Sequence, residues 1–165
     1  MTNPFSSRAR VALLALSLSV ASIAPVRAED PSATVPQSGI VKIRSAYPVQ
    51  ETVARIRKDV ASKGIMFFSE VDQQRLARDA GIDIGPSTLL TFGNPPLGTL
   101  FIKANQLAGL DWPVRVLVLQ DEKGNVWVAY TDFGWIAKRH GVAGVDAESF
   151  RKASGVIASI TSSVR

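Results

Sequence analysis

The chain has 165 residues, 19 Lys and Arg against 14 Asp and Glu, a formal charge of +5, no cysteine and a single histidine, His140. Without cysteine there are no disulfides, thiol nucleophiles, iron–sulfur or Cys-type zinc sites, and no covalent c-type haem attachment. One histidine excludes multi-His metal centres, and no Lys/Arg run suggests a grip on nucleic acid.

Residues 1–28 carry Arg8 and Arg10, then an apolar run from Val11 to Val26, and close on Val26-Arg27-Ala28, with no acidic residue before Glu29. This is the pattern of a cleaved secretory signal peptide, which predicts a periplasmic or secreted protein. The apolar core is too short and too rich in Ser and Ala for a good membrane span, and nothing downstream resembles one. The alternative is an uncleaved N-terminal anchor. Removal of the leader takes three arginines with it, leaving 16 basic side chains against 14 acidic ones, a net charge of +2. Residues 29–38 (EDPSATVPQS) read as a flexible linker, and 39–165 suit one domain with one core.

In chain order, Gly39–Arg44 alternates as a short strand. Val49, Val53, Ile56 and Val60 then share one face of a helix over 49–63, stopped by Gly64. Ile65–Val71 reads as an aromatic-rich, buried strand. Asp72 caps a short helix over 73–80, and Ser87–Phe92 is the next strand. Asn94 caps a helix opened by Pro95 and running to Ala108, with Leu97, Leu100, Phe101, Ala104, Leu107 and Ala108 as its apolar face. Val114–Gln120 and Val126–Thr131 flank a hairpin, Asp121-Glu122-Lys123-Gly124-Asn125. Asp132 caps a short helix ending at Arg139-His140-Gly141. Asp146 caps the last helix, whose core face is Phe150, Ala153, Ile157 and Ile160. The alternation would allow a doubly wound parallel sheet, but the tight hairpin and the lack of a glycine-rich loop after the first strand favour an α+β fold. The expected architecture is a mainly antiparallel sheet with helices packed on one side.

The residues Val71-Asp72, Phe92-Gly93-Asn94-Pro95, Gly98-Thr99, Leu110-Asp111-Trp112-Pro113-Val114-Arg115, Asp121 with Gly124, Tyr130 and Arg139-His140 resemble a bacterial and archaeal family called domain of unknown function 302. The resemblance covers roughly Ser45 to Gly141. It implies a compact α+β domain similar to the TATA-box-protein-like group, found in exported or cytosolic single-domain proteins, some of them dimers. It implies no established activity. Where the family typically has Ile-Asp-His, this chain has Val71-Asp72-Gln73, so proton transfer or metal binding by that histidine is not open to it.

Four constellations follow from the residues. Asn94, Gly98 and Thr99 at a helix start, with Arg115 on a neighbouring strand, suit a small oxyanion, although Pro95 and Pro96 remove two N–H donors. The structural alternative is a cap and a glycine that lets the helix approach the strand beneath it. Asp72 and Asp111 beside Arg115 would form a carboxylate–guanidinium cluster at one sheet edge, or Asp111 simply caps a turn. Arg139 and His140 at a helix C-terminus are accounted for by the helix dipole; a triad of a serine with His140 and Asp132 lacks a nucleophile elbow. Trp127 and Tyr130 fall on opposite faces of one strand, so one sheet face carries a partly exposed aromatic surface. The ligand-binding set is therefore Asn94, Gly98, Thr99, Asp111, Arg115 and Asp72, with no catalytic residue, metal or cofactor assigned. The function this predicts is a non-catalytic small-ligand binding or sensory module of the cell envelope. A small cofactor-independent enzyme using the acidic residues with Arg115 and His140 is the first alternative. The second is a homodimeric interaction module.

Overall fold

The hairpin over Asp121–Asn125 sets the register of the sheet. Gly124 takes φ +79°, and the Asp121 carboxylate accepts hydrogen bonds from the backbone N–H of Lys123 (3.0 Å) and Asn125 (2.8 Å), the Asn125 amide (3.1 Å) and the Trp127 indole (2.8 Å). With that turn fixed, β4 (Val114–Gln120) and β5 (Val126–Thr131) pair from Gln120 opposite Val126 outward. The computed structural model describes residues 38–165; the leader and almost all of the 29–38 linker lie outside the described residues.

Three further strands, β1 (Ile40–Arg44), β2 (Met66–Asp72) and β3 (Ser87–Gly93), complete a five-stranded antiparallel sheet in the order β1-β5-β4-β3-β2. Because β1 and β2 are opposite edges, the helix between them, α1 (Val49–Ser62), must carry the chain across the whole sheet. It lies against β2, β3 and β4, burying Val49, Val53, Ile56 and Val60.

Strand residues alternate faces. Leu90, Phe92, Val116, Val118 and Val128 point into the core under α1, α3 (Pro95–Ala104), α4 (Phe133–Arg139) and α5 (Glu148–Ser162). Phe101 of α3 stacks on Phe150 of α5 at 4.1 Å between ring centroids and tilts against Phe133 of α4 at 5.9 Å. Each fully buried side chain of this size contributes about 1.5–3 kcal/mol. The opposite face, with Leu89, Leu117, Leu119 and Trp127, is half-buried, and Lys42 lies over the Trp127 ring at 4.6 Å. The short helix α2 (Gln73–Asp79) contributes no buried residue.

Three local expectations are corrected. Ile65–Val71 is not a buried strand: β2 is an edge, with alternate residues exposed and a bulge between Phe67 and Ser69 that turns Phe68 outward. The helix expected to reach Ala108 stops at Ala104, because Asn105 is extended and its side chain caps a new 3-10 turn, Gln106–Asp111, by accepting from the Leu107 N–H. Leu107, beyond the break, and Leu100, within α3, are both exposed rather than on a continuous core face. Finally, Asp146 sits in a 3-10 turn (Gly144–Ala147), and Ala147, not Asp146, precedes α5.

Candidate functional site

At the start of α3, the Asn94 side chain accepts from the Leu97 N–H at 3.1 Å and its carbonyl takes the N–H of both Leu97 and Gly98. Pro95 and Pro96 offer no N–H, and the Thr99 hydroxyl donates to the Pro95 carbonyl at 2.6 Å. The donors expected to face an oxyanion are thus committed within the helix. Arg115 stands on β4 between the inward-facing Val114 and Val116, and its guanidinium reaches Asp111 at 3.5 Å and the Leu110 carbonyl at 3.3 Å.

Asp111 ends the 3-10 turn with its carboxylate only 3% exposed. His140 Nε2 lies 2.6 Å from it and Arg139 Nη1 lies 3.4 and 3.5 Å from its two oxygens. The His140 ring is itself buried, and its backbone carbonyl accepts from the Asn105 amide at 2.9 Å, so the residue that breaks α3 also anchors the end of α4. Three of the four groups considered for an enzyme therefore meet: Asp111, Arg115 and His140. Asp72 does not join them. It caps α2 through the Arg75 N–H at 2.9 Å, level with Thr88 and Val118, whereas Asp111 precedes Val114 at the other end of the same strands. Gln73 accepts from the Ser87 hydroxyl at 2.7 Å. Asp132 is engaged as the cap of α4, accepting from the Trp135 N–H at 2.7 Å, so it is not the acid of a His140 triad. Among the described residues no group of three metal-ligating side chains forms.

The residue after Asp111 opens a different environment. Trp112 turns its indole the other way, onto the glycines at the end of β3 and in α3. A β-carbon on Gly93 would lie 2.9 Å from Trp112 Nε1, and one on Gly98 would overlap that atom outright. Gly98 thus makes room for the Trp112 ring rather than for the strand beneath, as the sequence suggested. Phe68, displaced by the bulge, packs edge-on against the same ring at 5.8 Å. No acceptor among the described residues takes the indole N–H.

Beyond Trp112 lies a cleft of about 510 Å³ between α3, α5 and the inner face of the sheet. Its walls are apolar, chiefly Phe92, Leu97, Phe101, Val114, Val156 and Ile160. Asn94 and Gly98 line it; Thr99, Asp111, Arg115 and Asp72 do not. Among the described residues, Lys63 and Lys152 are the only ionisable side chains on its lining. Lys63 is paired with Asp59 at 2.6 Å, whereas Lys152 has no ion pair among the described residues. Gly155 lies on the same exposed stripe of α5 as Lys152, Val156 and Ser159, and no described residue stands within 4 Å of where its β-carbon would be. A mid-helix glycine costs about 1 kcal/mol relative to alanine, and no close approach of the chain requires one here. The sequence reading missed Trp112, Lys152 and Gly155 as site residues. A glycine interrupting the periodic α5 pattern was the one local signal available.

The family model described as "Domain of unknown function DUF302" matches residues 41–160. The chain is 37% identical over 110 residues to "Fluoride-specific ion channel FluC 1" of Brucella suis biovar 1 (strain 1330), covering 67% of this chain and 43% of that protein. It is equally similar, 37% over 110 residues, to the FluC 1 of Brucella abortus biovar 1 (strain 9-941), covering 41% of that protein. The chain therefore spans less than half the length of these curated relatives. The "uncharacterized conserved protein DUF302 from Bacillus stearothermophilus" superposes with a TM-score of 0.70 at 16% identity, covering 77% of this chain and 98% of that one, a likeness of fold alone.

Proposed function

This chain belongs to the DUF302 family, and from that premise we propose that it is a non-catalytic ligand-binding or sensory domain, exported to the cell envelope, that holds a small molecule between α3, α5 and the sheet. The observation that carries this reading is the cleft of about 510 Å³, a size within the range of small-molecule sites and lined by apolar side chains with few polar groups. The Asp111 cluster supports the non-catalytic reading: its carboxylate is shared by His140, Arg139 and Arg115, and no hydroxyl among the described residues is hydrogen-bonded to His140. Native mass spectrometry of the purified protein tests it. A mass increment that survives gentle desolvation, and disappears on filling the cleft, is the expected result. A bare chain whose melting temperature is unmoved by any small apolar ligand refutes it.

Two observations bear on where it works. The leader pattern in residues 1–28 supports export, which cell fractionation and the N-terminal residue of the product test. The Brucella relatives carry a matching segment in one chain with a protein named as a fluoride channel. An ion channel has to cross a membrane, and no helix among the described residues is long and apolar enough to do so. That supports an extramembranous role for the shared segment. A homodimeric module is the second reading, favoured by the half-buried outer sheet face with Leu89, Leu117, Leu119 and Trp127; the same native spectrum reads it as a doubled mass.

A further inference from the structure

We propose that the ligand of this cleft is an anionic amphiphile, an aliphatic body with one carboxylate-like head, lying along α5 with its body over Gly155 and its head at Lys152. The inference rests on the binding reading above and specifies the ligand class. Two observations carry it.

The first is charge. Among the described residues the lining holds two lysines and no acidic side chain, and Lys152 has no ion-pair partner. An apolar trough with cations as its only charged groups is complementary to an anion with a long apolar part, and disfavours a cation of the same shape. The second is space. Gly155 sits on the exposed α5 stripe between Lys152 and Ser159, at the open rim of the cleft, with no described residue within 4 Å of where its β-carbon would be. Helix propensity argues against glycine there, and packing within the protein does not call for it. Room for a bound chain does.

The test titrates the purified full chain with decanoate, with decanol as the uncharged analogue and decyltrimethylammonium as the oppositely charged one, reading the melting temperature and tryptophan fluorescence. Decanoate is expected to raise the melting temperature and shift the fluorescence, to bind about tenfold more tightly than decanol, and to exceed the cation by more. Lys152→Glu is expected to remove that preference for the anion while leaving decanol binding in place. Gly155→Leu is expected to keep the fold, since it adds a good helix former where nothing clashes, and to abolish binding of all three. Equal binding of decanoate and decanol overturns the anionic head while leaving the binding cleft intact. No binding by any probe, with Gly155→Leu indistinguishable from the parent, overturns both readings. Capture by vesicles of anionic phospholipid, with no response to free decanoate, assigns the cleft to a membrane-borne lipid and overturns the free ligand.

Discussion

Asp111 and Trp112 are neighbours in the chain and face opposite kinds of surroundings. Asp111 enters a closed polar knot in which one carboxylate meets an imidazole and two guanidinium groups. Trp112 enters an open apolar space with an unused donor. The knot joins the end of the 3-10 turn to the end of α4 and the start of β4, and its buried carboxylate is partnered on every side from within. The cleft is incomplete by the same standard. A polar cluster that looks like chemistry because of its residue types is here the fastening of the fold, and the less conspicuous apolar side of the same turn has the vacancy a ligand needs.

That contrast can be broken by mutation, beginning with the knot. Asp111→Ala leaves the buried His140 ring without its partner and frees two arginines, and it is expected to cost about 3 kcal/mol. Arg115 and Arg139 are half exposed and can return to water, which keeps the loss below that of a wholly buried pair. A denaturant midpoint close to the parent's would show that the knot is not the fastening.

Gly98→Val tests the cleft side and is expected to cost about 2 kcal/mol, by forcing the Trp112 ring off its seat. Trp112 fluorescence should move with it. Combining Gly98→Val with Trp112→Ala should recover part of the loss, since the collision disappears. An additive double mutant would mean that the ring is not what Gly98 accommodates.

Asp121 provides a second closed polar hub, on the hairpin between β4 and β5. The Trp127 indole N–H above all, with the Asn125 amide and the backbone N–H groups of Asn125 and Lys123, holds its carboxyl down to about 2 from an ordinary 3.8, against a smaller opposing effect of burial. A carboxyl depressed on folding adds stability that is fully present above about pH 4 and disappears as the pH falls through about 2. Asp121→Asn is therefore expected to be less stable than the parent at neutral pH, with the difference shrinking between pH 4 and pH 2. A gap in urea midpoint that stays constant over that interval would contradict the assigned donors. The smallest effect is expected for Arg115→Ala, below about 1 kcal/mol, because its side chain is 56% exposed and its distance to Asp111 is 3.5 Å.

The parts of this fold that were legible in the sequence are those decided within a few residues. Asp72, Asn94 and Asp132 cap the helices that follow them, and Gly124 closes the hairpin, because each bond spans two to four residues. The α5 core face was readable for the same reason, through its periodicity. What could not be read are contacts made across the chain. His140 meets Asp111 from 29 residues away, and Asn105 ends α3 while holding a carbonyl 35 residues downstream. The cleft is of this kind: Trp112, Gly93, Gly98 and Gly155 become one site only when α5 comes to rest beside α3. Asn94 and Gly98 were singled out for an oxyanion at the helix start; both line the apolar cleft instead, Asn94 as the cap of α3 and Gly98 as the seat of an indole ring.

The bulge in β2 has a bearing on how the chain behaves in company. An open sheet edge is a template onto which a strand from another molecule can add, the first step of fibre growth. Between Phe67 and Ser69 the ladder slips by one residue, so an incoming strand would lose its match after a short run. Glu70, tied to Arg57 at 2.6 Å, adds a charge just beyond the slip, and the opposite edge presents Lys42 and Arg44. Both borders of the sheet thus resist templated growth, which allows the domain to keep an apolar trough open without its edges recruiting further copies.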